Sequence, residues 1–109
     1  MTDKEKLIYL AGIVDGEGTF WRGYSKNGRG ERYLQSRLIV VQKEKPLIDW
    51  MKENFEGGVT LSRRMSFGIR RPIWRWSLNG KKCELLAKRL QPYMIVKREQ
   101  IKRVLYQDN

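Results

Sequence analysis

The 109-residue chain carries 23 lysines and arginines against 12 aspartates and glutamates, a formal net charge of +11, and a surplus of that size points to a polyanionic partner. It contains one cysteine, Cys83, and no histidine. This excludes an intrachain disulfide, a CxxC zinc site, Ser-His and Cys-His triads and a histidine general base, so any catalysis must rest on carboxylate, lysine, amide or bound metal.

Leu7, Ile8, Leu10, Ala11 and Val14 recur at helical spacing, and Thr2 or Asp3 together with Glu5 can cap the start. A first helix is therefore predicted from about Asp3 to Asp15, ended by Gly16 and Gly18. From Thr19 to about Ser25 aromatic and polar residues alternate, Lys26-Asn27-Gly28-Arg29-Gly30 supplies a turn, and Tyr33 to Gln42 reads as the second strand of a hairpin. Pro46 suits the first turn of a second helix, with Leu47, Ile48, Met51 and Phe55 on one face and Gly57-Gly58 as its stop. Val59 to Arg64 and Ile73 to Leu78 predict a second hairpin. Its connection, Met65 to Pro72, holds or adjoins Arg63, Arg64, Arg70, Arg71 and Arg75. Asn79 is a candidate cap for a third helix in which Cys83, Leu86, Ala87 and Leu90 keep i, i+3, i+4, i+7 spacing. Gln91-Pro92 breaks the chain before a last helix, about Val96 to Gln107.

The order is read as αββαββα, an α+β domain over residues 1–109 with a four-stranded antiparallel sheet, helices on one face and the other face open. On the strand from Tyr33 to Val41, Leu34, Ser36, Leu38 and Val40 share the face that suits helix packing. Tyr33, Gln35, Arg37, Ile39 and Val41 share the other, which mixes hydrogen-bonding groups with an arginine, as a surface that reads base edges in a major groove does. The same parity adds Thr19, Trp21, Gly23 and Ser25 from the first strand and Arg75 and Ser77 from the fourth. For the third strand Thr60, Ser62 and Arg64 are preferred, because Val59 and Leu61 look like core. Phe20, Trp50, Trp74 and Trp76 read as core or edge packing, with Trp21 the aromatic on the open face.

Leu10 to Gly18 read LAGIVDGEG. Gly12 inside a helix costs about 1 kcal/mol relative to alanine, which asks for a compensating reason such as the close approach of a second backbone; Ala11 beside it makes the same request. Glu17 falls at the helix C-terminus, where carbonyl dipoles already concentrate negative charge, and a bound cation would reverse that sign.

The nonapeptide resembles the motif that names the LAGLIDADG homing endonucleases, with Ile13, Val14, Gly16 and Glu17 as conservative departures. The downstream order of elements and LQPYMIVK at Leu90 to Lys97 resemble the rest of a single-motif member. The resemblance implies a saddle-shaped sheet on double-stranded DNA and a homodimer in which motif helices meet through Ile8, Ala11, Gly12 and Asp15. It further implies a sequence-specific double-strand endonuclease acting on a long pseudo-palindromic site, in the service of intron homing. Glu17 and the carbonyl of Gly16 would hold Mg2+ or Mn2+, with Gln42 and Lys97 as further catalytic residues and Asp15 as the motif's other acid. Arg29, Arg63, Arg70 and Arg71 look like phosphate contacts. Two other readings stay open: a DNA-binding regulator of the same fold that does not cleave, and an RNA-binding intron maturase. No apolar run approaches the roughly 18 residues of a membrane span, so a soluble intracellular protein without membrane association is expected.

Overall fold

The computed structural model describes residues 1–66 and 69–106, without the side chains of residues 63–66, 69 and 70. Helix α1 (Asp3–Glu17) opens on a capping box in which Thr2 Oγ1 accepts the Glu5 N–H at 3.1 Å and Glu5 Oε1 accepts the Thr2 N–H at 2.8 Å. Of the two candidate caps, Thr2 is the one used. The helix runs past its predicted end, because Gly16 and Glu17 keep helical geometry and only Gly18 turns extended, its N–H bonding to the Val14 carbonyl.

Strands β1 (Gly18–Lys26) and β2 (Arg32–Gln42) pair antiparallel, with Thr19 opposite Ile39, Trp21 opposite Arg37 and Ser25 opposite Tyr33. The hairpin tip is closed by Asn27 Oδ1, which accepts the N–H groups of Arg29 and Glu31 at 2.8 and 3.1 Å. Helix α2 (Lys45–Phe55) stops at Glu56 and Gly57, both in the left-handed region with φ of 64° and 94°. The Trp76 indole donates to the Glu56 carbonyl at 2.7 Å, and a Cβ on Gly57 would fall 2.6 Å from the indole nitrogen, so glycine is required here on two counts.

Strands β3 (Gly58–Ser66) and β4 (Ile69–Asn79) form the second hairpin. The connection expected from Met65 to Pro72 is largely strand: the ladder continues through Arg64 opposite Arg71 to Ser66 opposite Ile69. Pro72 is compatible with it because β2 pairs with β4 only from Trp74 onward, so at Pro72 one side of β4 is an edge that needs no N–H donor. Helix α3 (Gly80–Leu90) starts with Asn79 at the cap position, but the Asn79 side chain makes no capping bond, contrary to expectation; the residue also belongs to the ladder, opposite Arg37. A 3-10 turn (Gln91–Tyr93) leads to helix α4 (Arg98–Tyr106), which begins later than predicted. The expected end at Gln107 lies outside the described residues.

The sheet order is β1-β2-β4-β3, antiparallel throughout. Two helices, α3 and α4, follow the second hairpin, so the full order is αββαββαα. The core lies between the sheet and the helices: Leu10, Val14, Leu38, Val40, Ile48, Met51, Trp76, Leu90, Met94 and Ile101 are fully buried, and their removal from water supplies the main driving force for folding. Leu61, expected in this core, is 45% exposed, since it sits on the outermost strand toward the hairpin end.

Cys83 is buried in α3, and its thiol is pushed up to about 12 by that burial and by the charge of Glu84, against the opposing pull of Arg22. Thiolate is therefore scarce at neutral pH. Ellman's reagent at pH 8 should leave the native protein untouched and titrate one thiol in denaturant; rapid labelling of the folded chain would contradict the burial.

Candidate active site and nucleic-acid interface

Glu17 ends α1 exposed, beside the first residue of β1. Gln42, the last residue of β2, donates from Nε2 to Glu17 Oε2 at 2.5 Å. The orientation of that amide is dictated locally: Gln42 Oε1 accepts the N–H groups of Lys43 and Glu44 at 2.9 and 3.2 Å, which turns the NH2 toward the carboxylate. Two sequence-predicted site residues on different elements are thus brought into contact.

Asp15 takes a different role from its neighbour. Its Oδ1 accepts the N–H groups of Val96 and Lys97, both at 3.0 Å, and its Oδ2 that of Ile95 at 2.8 Å. The three amides belong to the segment entering α4, where N–H groups have no helical partner and a carboxylate is favoured. This explains why α4 begins later than its sequence suggests. Lys97 returns the interaction, donating from Nζ to the carbonyls of Val14 and Asp15 at 3.0 Å each, where a cation offsets the negative end of α1. The Lys97 ammonium thus rests on the end of α1, two residues before Glu17.

The motif residues divide by face. Ala11 is buried inside its own subunit with Leu10 and Val14, which corrects its placement in a dimer surface; its small size serves the packing of α1 in this chain. Ile8 and Gly12 face outward, and Asp15 points to the segment before α4. A Cβ added at Gly12 or Gly16 would meet nothing within 4 Å. These two glycines border an open groove of about 530 Å³, lined also by Ile8, Tyr9, Ile13, Glu17, Gln42 and Leu47. Gly18, by contrast, is needed internally, since a Cβ there would lie 2.9 Å from the Val14 backbone.

The residues read onto the open face differ in exposure. Thr19, Trp21, Thr60, Ser62, Arg71 and Arg75 are exposed and Gly23, Ser25, Gln35, Arg37, Ile39 and Ser77 half-buried; Thr60 stands opposite Arg75, which settles the phase of β3. The side chains of Arg63, Arg64 and Arg70 lie outside the described residues. Arg29 sits exposed at the tip of the first hairpin. At the centre of β1 and β2 the side chains are tied together: Gln35 Oε1 accepts from Ser25 Oγ at 3.1 Å and from Arg37 Nη2 at 3.2 Å, while the Arg37 guanidinium lies 5.5 Å from the Trp21 ring centroid. Arg37 Nε is, among the described residues, the buried side-chain polar atom without a partner. The ring of Trp21 also leans over Gly23, where a Cβ would come within 2.5 Å.

Among the described residues no group of three His, Cys, Asp or Glu side chains could hold a metal ion. With Asp15 committed, one chain offers Glu17 and main-chain carbonyl oxygen, a hard donor set that suits Mg2+ or Mn2+ only when completed by oxygens from outside the subunit. No helix among the described residues is long and apolar enough to cross a membrane.

The chain has the fold of the LAGLIDADG homing endonucleases. It is similar to the homing endonuclease I-CvuI, whose structure was solved on the I-CreI target with Mg and uncleaved DNA: 22% identity, TM-score 0.75, covering 94% of this chain and 65% of that one. It is also similar to the archaeal intron-encoded I-Vdi141I bound to DNA, at 17% identity, TM-score 0.71, and 94% and 66% coverage, and to the group I intron-encoded I-CeuI bound to DNA, at 18%, 0.58, and 94% and 51%. The chain therefore spans about 65% of the I-CvuI chain it matches. No family sequence model and no curated protein matches it.

Burial alone would raise the Asp15 pKa, but the amides of Ile95, Lys97 and Val96 and the Lys97 charge outweigh it and hold it below the ordinary 3.8. A lowered folded-state pKa contributes stability that is complete above the ordinary value and is lost as pH falls through the lowered one. Asp15→Asn should thus be less stable than wild type by about 1–2 kcal/mol at pH 7, with the gap closing in acid; equal urea midpoints at pH 7 would contradict this role.

Proposed function

We propose that two copies of this chain form one divalent-metal-dependent endonuclease that cuts both strands of duplex DNA at a long, nearly palindromic site. The observation that carries the reading is the two-sided use of α1: its end presents Glu17, held by Gln42, while its outer face carries a glycine the subunit does not need. Gly12 costs helix stability of about 1 kcal/mol and relieves no contact within the chain; an approaching copy of the same helix supplies the missing reason.

A two-fold contact through Ile8, Gly12 and the surrounding groove is isologous, so it brings the two Glu17 side chains toward the same axis. Like charges there raise the energy unless a cation intervenes. Glu17 and the Gly16 carbonyl are the groups that would hold Mg2+ or Mn2+, and such an ion supplies polarisation of the scissile phosphate and activation of a water. Gln42 fixes one carboxylate oxygen and leaves the other free. On the open sheet face Gln35, Arg37, Thr60, Arg75 and Ser77 present donors and acceptors to base edges, Trp21 and Ile39 present apolar surface, and Arg29 and Arg71 take phosphates. The intramolecular bonds among Ser25, Gln35 and Arg37 hold these groups in place before DNA arrives.

Cleavage of a DNA pool spanning candidate intron insertion sites, in Mg2+ against Ca2+ or chelator, tests the reading. Wild type should nick both strands of one duplex, and Glu17→Gln should lose at least about a hundredfold in rate while binding the same duplex in Ca2+. Tight binding of one site with no nicking in Mg2+ would leave a binding protein and overturn the nuclease. For the dimer, Gly12→Leu should fold with undiminished thermal stability yet sediment as a monomer at micromolar concentration. A monomeric wild type, with and without DNA, would remove the shared-axis argument.

A further inference from the structure

The residues flanking Glu17 are tied on both sides to one stretch of chain some 80 positions away. On the N-terminal side, the Val14 and Asp15 carbonyls accept from Lys97 Nζ and the Asp15 carboxylate accepts from Ile95, Val96 and Lys97. On the C-terminal side, the Phe20 N–H donates to Gln100 Oε1 at 3.1 Å. Among the described residues strand β1 is an edge of the sheet, with β2 as its neighbour in the ladder, and Gln100, half-buried on α4, caps that edge donor. Helix α4 packs on β1, and Ile101 beside Gln100 is fully buried, so the amide is anchored by the core.

From this we infer that Gln100, together with Asp15, is a positioning residue for the Glu17 carboxylate: the 95–100 segment braces the helix-to-strand turn on which Glu17 stands. Glu17 itself is exposed and bonds to the Gln42 amide, so its place is set by that bond together with the backbone between Asp15 and Phe20. An exposed side chain on an unbraced turn samples many positions; fixing the turn at both ends removes that freedom before metal and phosphate bind. The bond to Gln100 contributes nothing to the charge or donor set of the site. Its effect is on where the carboxylate sits.

The inference rests on the nuclease reading for its catalytic consequence, and the test separates the two. Gln100→Leu keeps the length and apolar stem but removes the acceptor, and Gln100→Glu restores an acceptor oxygen. With the full chain, single-turnover cleavage in Mg2+, affinity for the same duplex in Ca2+ and amide exchange at Phe20 are measured for each. Gln100→Leu should lose about ten- to a hundredfold in cleavage rate with DNA affinity within about twofold of wild type, and Gln100→Glu should recover most of the loss. A Gln100→Leu protein that exchanges the Phe20 amide faster yet cleaves at the wild-type rate overturns the proposal, as does a loss of rate matched by an equal loss of affinity. If wild type cuts no duplex at all, the nuclease reading fails by itself. The brace is then decided by Mn2+ alone: paramagnetic broadening of the Gly16 to Thr19 amides should weaken in Gln100→Leu, and equal broadening in both proteins overturns it.

Discussion

A helix that ends in Asp15-Gly16-Glu17 gathers two carboxylates and a set of unpaired carbonyls at one point, and something must offset that charge for α1 to end there. The chain answers with Lys97 and the amides of residues 95–97. The lysine covers the carbonyls of Val14 and Asp15, and the Asp15 carboxylate turns away to the start of α4, where free N–H groups receive it. The end of α1 and the segment that enters α4 are thereby tied together. Glu17 is left as the exposed acid of the motif, bonded to the Gln42 amide, and the first strand of the sheet leaves from a fixed point.

The sheet depends on that point of departure. Because side chains alternate across a strand, a shift of one residue at Gly18 would exchange the two faces, burying Trp21 and exposing Phe20. In the observed register Phe20, Leu38, Val40 and Trp76 meet the helices, while Trp21, Arg37, Gln35 and Ser25 form a linked set on the open side. Arg37 Nε is buried without a partner among the described residues while its Nη2 donates to Gln35, and a network ordered in advance lowers the entropy of meeting a ligand.

Several features were legible from residue order because their causes are local. The capping box at Thr2, the faces of β1 and β2, the stop at Gly57 and the buried stripe of α3 follow from spacing and from side-chain chemistry within a few positions. The second hairpin was misread as shorter because Gly68, Pro72 and the arginines look like loop; that Pro72 falls where β4 has lost β2 is a fact about a third strand. Leu61 was misassigned for a similar reason, since being apolar does not say how far the helix layer reaches. Ala11 and Gly12 looked alike as small residues in one helix. The structure separates them, one filling the subunit's own core and the other facing open space.

The sequence by itself determined the fold class, the likeness carried by LAGIVDGEG and the two faces of the sheet, since periodicity and motif order express one-dimensional constraints; Glu17, Gln42 and Lys97 became candidates through that likeness. The tertiary structure decided what those residues touch: that Gln42 orients Glu17, that Lys97 sits on a helix end, that Asp15 holds the entry to α4 and that Gln100 caps Phe20. Three of these four contacts join positions about 80 apart, and Gln42 and Glu17 are 25 apart. Partners so distant are chosen by the packing of the whole core, which no local pattern encodes.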